Sequence, residues 1–248
     1  MPIILCCQIG ESREKIIPFD SKDYNPDKYA VTKCSYVHGS ADIIITQVRP
    51  ITKNRKNRTA RPGFCRAWIE VKTKGGITFN SYFSDISPAG YSYGIFVPKK
   101  QPSTDYFITV KFGDYDGRIF LISKSGKVTE SPGGEYFLTK DKRYLFVQYS
   151  SDMSMLIVFD LKKGKEICRA KDIPYIHNWY VKNGNYMFTI SDWTRSSIPT
   201  EKSGTAYVYD FDSNEIKEKT GESILSGAEK IEYDFEPGNV NNCSCNKK

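Results

Sequence analysis

Residues 140–167 read KDKRYLFVQYSSDMSMLIVFDLKKGKEI, and residues 182–219 read KNGNYMFTISDWTRSSIPTEKSGTAYVYDFDSNEIKEK. Each stretch holds a run of β-branched and aromatic residues, a polar link, and a second such run that closes on an aromatic-Asp pair. A turn containing Gly or Asn follows, and then a short polar segment. Set against each other, Tyr144 matches Tyr186, and Phe159-Asp160 matches Tyr209-Asp210. The two offsets differ because WTRSSIPTEKSG, residues 193–204, is inserted between the inner runs of the second copy. A partial third copy comes earlier, where 117–131 parallels 154–170.

Working outward, strand signals dominate the chain. The runs 41–48, 66–73, 76–83, 105–112, 117–123, 144–150, 155–161, 185–191 and 205–211 are rich in Val, Ile, Phe and Tyr. Each is bounded by Gly, Pro, Asn, Asp or Lys, which punctuate strands. Lys74-Gly75-Gly76 reads as a hairpin turn. Helical periodicity is nearly absent; the best candidate is a turn or two between Gly221 and Lys230, with Ser223 as a cap.

Units of roughly 40–50 residues with several strands each are what β-propeller blades look like in sequence. A single blade cannot bury both faces of its sheet, and stacking on neighbours solves this. The pattern from Asp141 through Tyr144-Leu-Phe-Val to Ile157-Val-Phe-Asp-Leu and Gly164-Lys165 resembles blades of the broad WD40-like and YncE-like propeller group. The resemblance covers residues 113–220 and concerns the fold. Phe159-Asp160 and Tyr209-Asp210 stand where a WD40 repeat has Trp-Asp, and the Gly-His pair is missing. The expected fold is therefore all-β, a propeller or propeller-like domain of about five or six blades, as a complete or an incomplete ring. A β-sandwich followed by a partial propeller is the alternative, because residues 1–112 do not show the repeat clearly. Residues 1–235 are read as one all-β domain, with 1–112 a possible subdomain, 113–235 the propeller-like repeats and 236–248 a polar tail.

Composition supports a packed globular domain: 39% of residues are hydrophobic and 14% aromatic. The net charge is +7, but it is concentrated. Between Arg49 and Lys74 stand nine basic residues and one acid, Glu70, so this window is +8 and the rest of the chain −1. Such a feature suits an acidic partner or nucleic acid. No run approaches the roughly 18 apolar residues of a membrane span. MPIILCC lacks a basic n-region, so the start reads as a first strand; a remnant of an export signal is the other reading. The location expected is cytoplasmic, or exported if Met1–Cys7 is such a remnant.

Chemical motifs were weighed in turn. Gly90, Ser92 and Gly94 spell G-x-S-x-G, the pattern of a nucleophile elbow. That elbow needs a helix after the serine, and YGIFVPKK is β-prone, so the structural reading of Ser92 is preferred. Seven cysteines without a C-x-x-C, and only two histidines, His38 and His177, argue against structural zinc. Asp210, Asp212 and Asn214 begin like a calcium loop, but Glu215 and Gly221 occupy its sixth and twelfth positions, so a strand-end turn is expected instead. Asp114 and Asp116 read as a second turn of this kind. Asn57-Arg-Thr59 and Asn242-Cys-Ser244 fit the glycosylation acceptor pattern, which matters only in a eukaryotic secretory route.

No acid–base pair, metal cluster or phosphate loop emerges, so neither a catalytic residue nor a cofactor is expected. The function expected is a non-catalytic protein-binding module, a scaffold or an immunity-type neutraliser, contacting a partner with an acidic surface. Its binding residues would be Lys53, Arg55, Lys56, Arg58, Arg61 and Trp68 around the basic loop, with Trp193, Arg195 and Ile198 in the insertion. Two alternatives are kept. One is a propeller-type hydrolase or lactonase with a site in the central channel. The other, less favoured, is nucleic-acid binding through residues 53–61.

Overall fold

The computed structural model describes residues 20–51 except 24, 66–84, 94–98, 101–112 and 117–149 except 134. It also describes 155–190 except 172, 174 and 175, then 205–221, 224–231 and 240–241. Among these residues the chain is almost wholly strand and turn, with one 3-10 turn at Ser21–Asp23.

The strands form four antiparallel sheets, each built from consecutive segments. Blade 1 holds β1 (Tyr29–His38), β2 (Ala41–Pro50), β3 (Arg66–Thr73) and β4 (Gly76–Ser84). Blade 2 holds β5 (Gly94–Pro98), β6 (Tyr106–Phe112), β7 (Arg118–Ser123) and β8 (Val128–Pro132). Blade 3 holds β9 (Glu135–Leu138), β10 (Tyr144–Tyr149), β11 (Met155–Asp160) and β12 (Lys165–Lys171). Blade 4 holds β13 (Ile176–Lys182), β14 (Asn185–Ile190), β15 (Thr205–Asp210) and β16 (Glu215–Thr220). Two further strands, β17 (Glu229–Ile231) and β18 (Val240–Asn241), pair with β13 and β5. The fold is all-β and propeller-like. Four blades are found among the described residues, where length suggested five or six.

Alternation along each strand explains the stacking. Leu145 and Val147 of β10 face blade 2, where they join Phe96, Ile108, Val110, Ile119 and Leu121. Phe146 between them faces blade 4 and joins Phe137, Trp179, Phe188 and Tyr209. Blade 2 repeats the arrangement, with Phe107, Phe120 and Ile122 turned to Ile43, Ile45, Ile69 and Val71 of blade 1. The middle strands are apolar at successive positions because both faces are covered. β11 is buried at all six.

The register corrects one detail of the sequence comparison. Phe159 lies opposite Leu145, and Tyr209 lies opposite Tyr186. Tyr186 therefore corresponds to Leu145, not to Tyr144, and faces the preceding blade as Leu145 does. A shift of one residue reverses every side chain in a strand, so the packing settles the match. The pairing of Phe159-Asp160 with Tyr209-Asp210 stands.

Polar contacts fix one blade on the next. Gln47 of blade 1 donates from Nε2 to the Ile95 carbonyl (3.1 Å) and accepts at Oε1 from the Ile95 amide (2.8 Å), so its amide acts as a missing strand neighbour. The Tyr106 hydroxyl of blade 2 donates to the Leu161 carbonyl of blade 3 at 3.2 Å. The Lys140 amide of blade 3 donates to the Tyr186 hydroxyl of blade 4 at 3.2 Å. Gly133 enters blade 3 with φ of +141°, where a Cβ would fall 2.1 Å from Val147 Cγ1, so no larger residue fits.

Other expectations resolve as follows. Thr73 pairs with Gly76, making Lys74-Gly75 the hairpin turn. Asp210 accepts from the Asp212 and Ser213 amides (2.9 and 3.2 Å), and the Tyr209 hydroxyl donates to Asn214 Oδ1 (3.2 Å), which makes this segment a strand-end turn. The proposed helix between Gly221 and Lys230 is absent from its described part. Turns closed by Gly221 and Leu225 carbonyls lead into β17 there, and Ser223 lies outside the described residues. Residues 113–116 and Ser92 also lie outside them.

Candidate functional site

The first strands of blades 2, 3 and 4 are β5, β9 and β13, and each has one edge turned away from the rest of its own blade, here called the inner or axial edge. The inner edge of β13 is taken by β17, with Ile231 opposite Trp179, and that of β5 by β18, with Val240 opposite Pro98.

Glu135 is the first residue of β9 and lies opposite Gln148 of β10, a side chain that is 4% exposed. By alternation it shares a face with Phe137, which packs toward blade 4. Its Oε2 is shielded from solvent and has no hydrogen-bond partner. Burial pushes the Glu135 carboxyl up from its ordinary value. Among the described residues the Glu135 carboxylate makes no ion pair, and a shielded polar atom without a partner calls for an explanation. Strands β5 and β13 begin at this same end, at Gly94 and Ile176, with the exposed His177 at a register shift in β13. The strand ends that bracket residues 52–65, 113–116, 150–154 and 191–204 lie there as well.

The other buried carboxylate has a structural role. Asp160 is 1% exposed at the end of β11. Burial alone would raise its pKa, but the Lys163 amide (3.0 Å), the Arg143 guanidinium (3.3 Å) and the Lys163 ammonium outweigh this and hold it below the ordinary value. Asp210 plays the corresponding part in blade 4, where Lys217 and the turn amides hold it down to about 2.

Of the residues expected to bind a partner, Trp68 is the one described. It is 3% exposed and its ring lies 4.9 Å from that of Tyr82, in a small cluster with Val48 and Tyr29 on the far face of blade 1. Its indole packs the hairpin and is not presented at a surface. Lys53, Arg55, Lys56, Arg58, Arg61, Trp193, Arg195 and Ile198 lie outside the described residues. Glu135 was not singled out. Its only sequence signal is an acid directly after Gly133-Gly134 and before the apolar run YFL. Among the described residues no group of three His, Cys, Asp or Glu could hold a metal, and no helix is long and apolar enough to cross a membrane.

No protein-family model matches the chain, and no curated protein does. Several solved structures are similar in fold. The β-propeller domain of the trilobed protease from Pyrococcus furiosus is 6% identical with a TM-score of 0.36, over 75% of this chain and 57% of that one. The acylaminoacyl peptidase of Pyrococcus horikoshii is 11% identical with a TM-score of 0.34, over 76% of this chain and 32% of that one. A candidate 6-phosphogluconolactonase from Bacteroides fragilis is 11% identical with a TM-score of 0.29, over 80% and 70%. The chain therefore spans little more than half of the first of these proteins and about a third of the second. These similarities bear on the arrangement of strands, not on chemistry. The expectation of a non-catalytic binding module is nonetheless corrected, since the similar chains named for an activity are a protease, a peptidase and a lactonase.

Proposed function

We propose that the protein is a propeller-type hydrolase acting on an ester or lactone, with Glu135 as its acid–base group. The observation that carries this reading is the unpaired, desolvated carboxyl at the axial start of β9. Burial raises the Glu135 pKa, so the carboxyl holds its proton more readily than a solvated one, which suits a group that takes and returns a proton in general acid–base catalysis. Ionised, Glu135 takes a proton from the water that attacks the carbonyl carbon. Protonated, it returns that proton to the leaving oxygen as the carbon–oxygen bond breaks. The peptidase and lactonase among the similar structures suggest which reactions to screen and add nothing to the mechanism. We also read the blades as WD40-like in kind, because Asp160 and Asp210 end the third strand of their blades and accept amides of the following turn.

The test is a panel of p-nitrophenyl esters and γ- and δ-lactones assayed with the full chain and with Glu135→Gln. The expected result is turnover of at least one substrate class by the wild type and a loss of about 10²–10⁴ in kcat in the variant. A folded wild type that hydrolyses none of them, or a variant as active as the wild type, would overturn the proposal.

A further inference from the structure

A second concavity lies at the other end of β9, beyond Leu138, roughly 13 Å along the strand from Glu135. It is a groove of about 520 Å³ between the β9–β10 turn of blade 3, the β13–β14 turn of blade 4, and β17. This is within the size range of small-molecule sites, about 300–1,000 Å³. One wall is aromatic: Tyr144 and Phe211 have ring centroids 4.4 Å apart, and Tyr186 stands edge-on to Phe211 at 5.9 Å. The Arg143 guanidinium lies 4.8 Å over the Tyr144 ring and steadies it.

The rim is polar, and its hydrogen bonds can be followed atom by atom. Asp141 Oδ1 accepts from the Thr139 hydroxyl (2.5 Å) and the Arg143 amide (3.1 Å). Glu229 Oε2 accepts from Lys140 Nζ at 2.7 Å, across the groove mouth. Asn183 and Gly184 form the β13–β14 turn, both with positive φ (51° and 78°), which fixes the Asn183 side chain at the edge. A Cβ placed on Gly184 would meet nothing within 4 Å, so the space above the turn is open. Asp141 Oδ2, Glu229 Oε1, the Tyr144 hydroxyl and the Asn183 amide have no hydrogen-bond partner among the described residues.

These free groups discriminate between ligand types. An anion would face two carboxylates, with the one ammonium already neutralised by Glu229. A simple cation would satisfy the carboxylates but leave the Asn183 NH₂ donors unmatched, since it has no acceptor to offer. A hydroxyl both donates and accepts, so a ligand carrying several of them can meet carboxylates, amide and phenol together. Its C–H faces would lie against Tyr144 and Phe211. We propose that this groove binds a neutral saccharide of a few units, independently of the Glu135 site.

The full chain would be screened on an array of neutral and acidic oligosaccharides, and the strongest neutral ligand measured by calorimetry, with spermidine as a cationic control. Binding should be nearly unchanged between about 50 and 500 mM salt, because no net charge is matched. Tyr144→Phe and Glu229→Gln, which alter single exposed polar groups and leave the packing in place, should each weaken it at least fivefold. Glu135→Gln should leave it unaltered. The proposal is overturned if no neutral saccharide binds, if both groove variants bind as the wild type does, or if spermidine alone binds and is released by salt.

Discussion

Gly133 and Glu135 stand two residues apart in SPGGEYFL, and their legibility in the sequence differs. A Gly-Gly pair marks a turn whatever surrounds it, and the structure gives Gly133 the positive φ that a turn glycine serves. Nothing local marks the glutamate, whose register partner, Gln148, is distant in the chain. Its electrostatics nevertheless have a measurable consequence. Burial raises the Glu135 pKa in the fold, so the folded protein keeps this proton to a higher pH than the unfolded chain, where a glutamate titrates near 4.3. The folded state then binds more protons between the two values, and stability contributed by this group falls as pH rises through that window. Glu135→Gln should match the wild type near pH 4 and exceed it by about 1 kcal/mol at pH 8, the scale of one desolvated polar group. Urea midpoints across pH 4–8 measure this; a difference that does not grow with pH would remove the buried ionisation.

Among elements, the second and third strands of the blades were the readable ones. The runs expected at 66–73, 144–150 and 155–161 are found as Arg66–Thr73, Tyr144–Tyr149 and Met155–Asp160. They carry long apolar patterns because both their faces are covered, by neighbouring blades in blade 3 and by blade 2 and the Trp68 cluster in blade 1. The inner strands were harder: GIFVP and EYFL are too short to display a period, and IHNWYVK is interrupted by the register shift at His177. The outer strand EIKEKT is polar along its length because it lies at a solvent-facing edge. The blade 3–blade 4 contact was likewise invisible, although it is the most aromatic in the molecule. Phe137 stacks on Phe146 with centroids 4.9 Å apart, and both meet Trp179, at 4.7 and 5.0 Å. Phe137→Ala should cost about 3–5 kcal/mol, since it removes a buried ring from a packed seam. Chemical denaturation with near-ultraviolet circular dichroism would follow it. A loss below 1 kcal/mol would mean that blades 3 and 4 do not depend on this cluster.

For the molecule as a whole, the neighbour-on-neighbour stack was legible and its closure was not. Hydrophobic runs repeated at blade spacing imply stacking, but they cannot say which edge a two- or three-residue strand will join. Among the described residues blades 1 and 4 share no core cluster, β17 adds a fifth strand to blade 4, and the pairing that reaches back along the chain to blade 2 comes from β18. Removing residues 229–248 would expose the inner edges of β13 and β5, and unpaired edges invite association. We expect the shortened chain to melt roughly 5–10 °C lower, as a loss of 2–3 kcal/mol does in a domain of this size. Amide exchange should accelerate at Trp179–Val181 and at Val97. Unchanged exchange at these strands would show that the two short pairings hold nothing.

The union of β18 with β5 also sets an order of events during synthesis. Residues 94–98 leave the ribosome long before residues 240–241 exist, by roughly 7–30 s at ordinary elongation rates. Through that interval blade 2 can pack against blades 1 and 3 while its axial edge remains bare. A chaperone that shields extended edges would have its substrate then, and translation pauses beyond blade 4 would lengthen the exposure more than pauses before blade 2.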